Sequence, residues 1–402
     1  MKSAIITVGK EVLTGKTINT NLATIASALT EIGIEISRSF VIDDIFNEYV
    51  KVLDILDEDL IIFTGGLGPT IDDITKESIL KYFNINSVID EETLERNQAY
   101  FSRMNRKMED TNLKQAYFPE DSIILKNDLG TAPGLIFKVD KKTIILFPGP
   151  PHELKPMLDK TIEYLIKQNN IKMFSKGFKL TGIGESDMEV LLKDFYHLHK
   201  SVVIAPYASV GEIKYVFTSK NEFAITKCMI DFKEKFKQYI YGNLNQTLEE
   251  VVVNLLKKQN KIISAAESCT GGMFASKITN VSGSSEVFNE SYITYSNEAK
   301  NRILNIDKEL LNDHGAVSEK VAFKMAENLQ QITNADITVS ITGIAGPTGG
   351  TKEKPVGLVY FGITHKGITK VYKKISNGNR LMVRTRSTMF ALNLIRKELL
   401  NE

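Results

Sequence analysis

The chain has no tryptophan and only two cysteines, Cys228 and Cys269, among its 402 residues. Two thiols cannot build a disulfide framework, and zinc sites made of three or four cysteines are excluded with it. Long apolar runs are missing as well: none approaches the ~20 residues a membrane span needs. An excess of one charge is absent, with Lys+Arg 50 against Asp+Glu 49. Nothing in the bulk charge calls for nucleic acid or an anionic membrane. Tandem repeats and low-complexity tracts are lacking. The start, Met1 to Ile6, turns polar by Gly9-Lys10-Glu11, too soon for a signal peptide. A soluble, cytoplasmic protein is expected.

What the sequence does have is alternation. Short apolar runs at 1–8, 34–41, 60–63 and 143–147 alternate with helical patterns at about 19–33, 46–56 and 74–82. Strand-helix-strand order predicts a parallel sheet with helices on both faces. The middle, 176–241, mixes two strand-like stretches (177–181, 213–218) with two helical ones (186–195, 223–239), which reads as a small α+β domain. Gly242-Asn243-Leu244-Asn245 reads as a linker. After it, Thr247 and Glu250 predict a capping box, and Leu248, Val251, Val252, Leu255 and Leu256 form a helical stripe. The rest alternates again and ends in a long helix from Arg380. The fold class is therefore α/β, with two αβα-type domains (1–166 and 246–402) joined by the small one (176–241).

Chemistry concentrates at strand-to-helix turns. Ser268 lies in Glu267-Ser268-Cys269-Thr270-Gly271-Gly272, after a buried strand. A helix starting near Gly271 would leave unpaired N–H groups to hold an oxyanion. The bland reading is an N-cap serine. Cys269 is a rival nucleophile, more readily explained as a small buried apolar group. A serine needs a base. His314 and His365 have no acidic partner evident in sequence. Lys300, near the start of a helix, would have a lowered pKa there if partly buried, although a solvated surface lysine is the commoner fate. Tyr295 could relay or orient the proton. A second loop, Thr342-Gly343-Ile344-Ala345-Gly346-Pro347, also follows an apolar strand. Arg380 and Arg384, four apart, share a helix face that suits a phosphate.

In the first third, Gly9 to Thr17 nearly reads as a P-loop, but five residues separate Gly9 from Gly15-Lys16-Thr17 where four are needed. The run Thr64-Gly65-Gly66-Leu67-Gly68-Pro69-Thr70-Ile71-Asp72-Asp73 is a stronger candidate. Gly65, Gly66, Gly68 and Thr70 can cradle a phosphate or pterin-like anion. Asp72 and Asp73 can hold a hard divalent cation, or merely cap the following helix.

The motifs around Ser268, Tyr295 to Lys300 and Thr342 to Pro347 resemble the CinA C-terminal family, which includes nicotinamide mononucleotide deamidases. The resemblance assigns nucleophile, base, tyrosine and threonine roles to Ser268, Lys300, Tyr295 and Thr342. It places substrate near Gly271, Gly272, Gly343 and one of Arg380 and Arg384. The glycine-rich run from Thr64 resembles the molybdopterin-binding domain signature. Gly9 to Gly15, Asn127 to Gly134 and Pro148 to Glu153 are similar to the CinA version of that domain. In that family the domain is linked to a metal-dependent ADP-ribose pyrophosphatase, which implies a divalent ion (magnesium, manganese or cobalt) at Asp72 and Asp73. The deamidase would need no cofactor. The middle domain resembles the family's KH-type domain, but lacks a convincing Gly-x-x-Gly clamp, so no nucleic-acid partner is expected. The resemblance implies a homodimer acting on small nucleotides. The expected function is a bifunctional hydrolase of pyridine nucleotide salvage. The alternative is a competence- or damage-associated protein whose first domain only binds a pterin or nucleotide.

Overall fold

The computed structural model describes residues 1–169 and 173–400. The chain divides into two compact units, Met1–Ser175 and Lys176–Glu402. No helix among the described residues is long and apolar enough to cross a membrane.

The first unit is built on β1 (Lys2–Val8), β2 (Glu35–Ile42), β3 (Leu60–Thr64), β4 (Ile123–Leu125), β5 (Gly134–Val139) and β6 (Lys142–Phe147). Their order in the sheet is β2-β1-β3-β6-β5-β4. The first four run parallel, while β5 and β4 are antiparallel additions. Side chains alternate across a strand, and here both faces are covered. Ala4, Ile6 and Val8 enter one core cluster, while Ile5 enters the other. That is why β1 and β3 read as continuous apolar runs rather than alternating ones. The helices α1 (Thr75–Tyr82) and α2 (Glu91–Arg103) follow β3. The last helix of the unit runs Pro151–Asn169, beyond the expected boundary at 166.

The second unit holds two sheets. The smaller comprises β7 (Phe174–Leu180), β8 (Val203–Ser209), β9 (Glu212–Ser219) and β10 (Ile240–Asn243), ordered β8-β9-β7-β10. Here the expected linker is corrected: Gly242 and Asn243 belong to β10, which pairs antiparallel with β7. Tyr241 is buried and donates its hydroxyl to Glu212, so packing overrides a composition that reads as loop. The capping box at Thr247 and Glu250 is present, with both reciprocal hydrogen bonds formed.

The larger sheet comprises β11 (Ile263–Glu267), β12 (Phe288–Ile293), β13 (Ile337–Gly343), β14 (Leu358–His365) and β15 (Ile368–Ile375), ordered β12-β11-β13-β14-β15. The first three are parallel and the last two antiparallel. Ile263 and Ala265 face one core cluster and Ala266 the other. The carboxyl ends of β11, β12 and β13 therefore lie side by side, the edge at which open α/β sheets take ligands. Near that edge start α3 (Met273–Thr279), α4 (Asn297–Leu304) and the long α5 (Arg380–Leu400).

Candidate active sites

Ser268 is the first residue beyond β11, and its N–H bonds Ile341 O of β13 at 2.9 Å. Lys300 is in the first turns of α4, a helix capped by Ser296, whose Oγ accepts from Ala299 N at 3.1 Å. The α4 start carries the lysine inward, where it is fully buried. Its Nζ lies 3.0 Å from Ser268 Oγ, 2.7 Å from Thr294 O and 3.4 Å from Tyr295 O. Two of these neighbours are carbonyls, which only accept. A neutral amine can satisfy both with its two N–H bonds and turn its lone pair on the serine hydroxyl. Burial pushes the Lys300 ammonium down to about 8, so the neutral form is accessible near physiological pH. Cys269 is the inert neighbour: burial pushes its thiol up to about 12.

The donors near Ser268 are not those expected. The α3 start is consumed by Glu267, whose fully buried carboxylate accepts from Gly272 N (3.0 Å), Phe274 N (3.1 Å) and Ala275 N (3.0 Å). Gly271 N is spent on Ser268 O and Met273 N on Thr270 O. An anion drawn by the α3 terminus is thus already present, in the strand itself. Among the described residues, no main-chain or side-chain acceptor of another residue pairs the N–H groups of Cys269 and Thr270 in this turn. Glu267 was not singled out from sequence. The signal for it was a glutamate ending a strand of otherwise small or apolar residues.

Tyr295 reaches Lys300 through its main-chain carbonyl. Its hydroxyl, expected to relay or orient the proton, accepts from Arg380 Nη2 at 2.7 Å. The reason is local: Tyr295 lies past the end of β12, exposed, just before the α4 cap. Thr342 is fully buried and donates to Ala316 O at 2.8 Å, while Gly343 ends β13 close against Val359. The two arginines, one turn apart, serve different loops. Arg380 Nη1 donates to Gly346 O at 2.8 Å, and Arg384 Nη2 donates to Thr270 O at 2.7 Å. Around the serine, Thr270 Oγ1, Thr294 Oγ1 and Arg384 Nε are buried with no hydrogen-bond partner among the described residues. His365, given no acidic partner from sequence, does have one: Nδ1 lies 3.1 Å from Glu398 Oε1.

In the first unit, Gly65 to Pro69 line a cavity of about 630 Å³ together with Gly9, Asp43, Asp44, Asp72, Asp73, and Gly149. Gly65 and Gly66 have φ of +106° and +64°. A side chain at Gly65 would meet Val8 O at 2.1 Å, and one at Gly66 would meet Thr75 Oγ1 at the same distance, so the turn needs glycine on both counts. Thr70 is not free to cradle a ligand with its hydroxyl, which donates to Asp72 Oδ1 at 2.5 Å. Its N–H goes to Asp73 Oδ2 at 3.0 Å. The two aspartates therefore close the loop rather than cap α1, whose N-cap, Ile74, makes no side-chain cap bond. The Thr70 hydroxyl holds the exposed Asp72 carboxyl below its usual range. Asp44 behaves oppositely: burial pushes it up to about 6, against a hydrogen bond from Tyr49. Among the described residues, no three His, Cys, Asp or Glu side chains group as metal ligands.

These features define a chain of α/β units with glycine-rich clefts at the carboxyl ends of parallel strands, one cleft carrying a buried serine–lysine pair. Three family models match it in succession: "Probable molybdopterin binding domain" over residues 4–168, "Damage-inducible protein CinA KH domain" over 175–242 and "CinA C-terminal domain" over 245–399. A CinA-like protein of Kosmotoga olearia is 44% identical over all of this chain and 99% of its own. A relative from Caldicellulosiruptor saccharolyticus, bearing a competence-damage inducible protein name, is 43% identical over the full length of both. The chain belongs to the CinA family. Among solved structures, a CinA superfamily protein of Klebsiella pneumoniae is 29% identical, covering 39% of this chain and 100% of its own at a TM-score of 0.38. The protein CinA of Thermoplasma acidophilum, described as of unknown function, is 36% identical over 41% of this chain and 97% of its own, also at 0.38.

Proposed function

We propose that the second unit hydrolyses the carboxamide of nicotinamide mononucleotide. The contact of 3.0 Å between Ser268 Oγ and a fully buried lysine carries this reading, and the resemblance to nicotinamide mononucleotide deamidases supplies the substrate. Ser268 Oγ attacks the amide carbon while its proton passes to the lone pair of Lys300 Nζ. The oxyanion forms beside the N–H groups of Cys269 and Thr270. Lys300 returns the proton to the leaving nitrogen and ammonia departs, leaving an acyl ester on Ser268. Water, deprotonated by Lys300, opens the ester to nicotinic acid mononucleotide, and Lys300 passes that proton to the departing Ser268 Oγ. Arg384 is the better phosphate partner of the two arginines, because it spends one N–H on the protein, on Thr270 O, while Arg380 spends two, on Gly346 O and the Tyr295 hydroxyl. Ammonia release from nicotinamide mononucleotide, abolished in Ser268→Ala and in Lys300→Met, tests the reading.

For the first unit the proposal is metal-dependent hydrolysis of the ADP-ribose pyrophosphate. The chain alone offers no three-ligand cluster among the described residues. Its two adjacent carboxylates fit an ion of the magnesium type, which is held by one or two carboxylates and completed by substrate phosphates. Asp72 and Asp73 would hold it, and it would supply charge neutralisation at the phosphate oxygens. The glycine-rich turn, with its exposed loop edge, would position the pyrophosphate. The missing third ligand is also the observation that favours the second reading, a cavity that binds a pterin or nucleotide without turning it over. Product formation from ADP-ribose with and without added divalent ion separates the two.

A further inference from the structure

A second cavity in the first unit has a polar lining that neither reaction uses. It encloses about 210 Å³ between α2 and the loop 127–133. Arg96, Asn97, Tyr100 and Arg103 line it, and their spacing puts them on one face of α2. Asn97 is 4 % exposed, yet its amide nitrogen has no hydrogen-bond partner among the described residues. Arg103 has no acceptor among the described residues. Arg96 gives Nη2 to Asn127 O (3.0 Å) and to Asp128 Oδ1 (2.7 Å), which leaves its Nε and Nη1 without protein acceptors. Asp128 is the one acid in the lining.

A buried amide donor and two arginines with spare N–H groups ask for an acceptor-only ligand, and guanidinium groups match phosphate best. Tyr100 adds a flat apolar wall beside them. The volume is below that of pockets that enclose a whole drug-sized ligand, so it suits one phosphate with part of a sugar. Thr131 lines both this cavity and the larger glycine-rich one, so the two adjoin at that residue.

We propose that the Arg96–Asn97–Arg103 cavity is an anion subsite that takes a phosphate group of a nucleotide whose remainder occupies the glycine-rich cavity. The second half of that statement rests on the reading of the larger cavity as a nucleotide site. The test is calorimetric titration of the full chain with inorganic phosphate, with AMP and with ADP-ribose. The variants are Arg103→Gln, Asn97→Leu and Asp128→Asn, each with its unfolding temperature measured. Arg103→Gln and Asn97→Leu are expected to weaken all three probes by at least about tenfold. Asp128→Asn is expected to tighten them, because Arg96 no longer shares itself with a carboxylate. Arg103 is exposed, so its variant keeps the fold even where Asn97→Leu does not. Unchanged phosphate binding in Arg103→Gln overturns the subsite. Loss for inorganic phosphate with unchanged ADP-ribose binding overturns the nucleotide assignment and leaves a free-phosphate site. The same ranking of binding in a chain that never cleaves ADP-ribose supports the subsite while removing the pyrophosphatase reading.

Discussion

The two clefts of this chain resemble each other in outline and differ in what their polar groups have left to give. Both follow a buried parallel strand and both turn on paired glycines. In the Ser268 cleft the two groups of the proposed reacting pair already meet: a hydroxyl and a buried amine lie 3.0 Å apart. The structural burden of that turn falls on a separate residue, Glu267, which takes the N–H groups of α3. In the glycine-rich cavity the same acids that would hold a metal also hold the loop, through Thr70. A division of labour keeps the Ser268 hydroxyl out of the turn's own hydrogen bonds, whereas shared labour makes function hard to read from residues alone.

The largest effect should come from breaking the complete pair. Ser268→Ala is expected to lower deamidase turnover by about three or more orders of magnitude, because the covalent step is lost. Cys269→Ala should leave most activity, since its thiol stays protonated. An active serine variant in a steady-state ammonia assay would reverse the assignment.

Next comes the base. Lys300 must be neutral to accept a proton, and burial holds its pKa at about 8. Below that value the charged form dominates, so kcat/KM should fall about tenfold per pH unit as pH drops, and level off above it. Lys300→Arg stays charged throughout and should lose about 10²–10⁴-fold, with no recovery at high pH. A profile flat from pH 6 to 9 would mean that some other group takes the proton.

A smaller, more selective effect sharpens the contrast between the arginines. Arg384→Ala should raise KM for nicotinamide mononucleotide about ten- to a hundredfold, the equivalent of one charge-assisted bond of about 1.5–3 kcal/mol. The phosphate-free nucleoside should be little affected. Arg380→Ala frees the Tyr295 hydroxyl and Gly346 carbonyl and should act on both substrates alike. The reverse pattern would exchange their roles.

In the other cleft, Asp72→Asn with Asp73→Asn keeps hydrogen-bond acceptors for Thr70 and removes the anions. Metal-dependent ADP-ribose cleavage should fail while ammonia release from the second unit is unchanged. Retained cleavage would move the metal ligands elsewhere, with Asp43 and Asp44 next.

Much of this was legible from the residues because local signals and packing agreed. The apolar runs at 1–8 and 60–63, the stripe from Leu248 and the box at Thr247 each demand one structure. The meeting of Ser268 with Lys300 was legible as chemistry, two residue types in need of each other, though no sequence spacing gives a distance of 3.0 Å. Other features had no local signature. Gly242 and Asn243 are poor strand formers, and only the sheet edge offered by β7 makes them one. The role of Glu267 depends on three N–H groups five to eight residues downstream, and the Tyr295 hydroxyl on an arginine 85 residues away. Long-range polar pairing of this kind follows from topology and cannot be read from periodicity.

The smallest predicted effect concerns stability in the first unit and isolates what the shared labour costs. Asp44 has its folded pKa raised to about 6 from 3.8, mainly by burial, with Asp73 and Asp72 adding repulsion. A carboxyl raised in this way binds its proton more tightly in the folded chain than in the unfolded one. Its contribution is therefore favourable below the unfolded value and is lost as pH climbs from about 4 to about 6. Above that window the fold carries a buried charge, relieved only in part by the Tyr49 hydroxyl and the Ile74 N–H, both of which reach Oδ1. Asn in place of Asp44 keeps that oxygen and removes the charge. Asp44→Asn should then raise the unfolding temperature of the first unit by about a few degrees at pH 8. Near pH 4 the difference should vanish. Differential scanning calorimetry at the two pH values reads this directly. A loss of stability at pH 8 would mean that the Asp44 charge is needed where it stands, as it would be if it balanced a cation within the glycine-rich cavity.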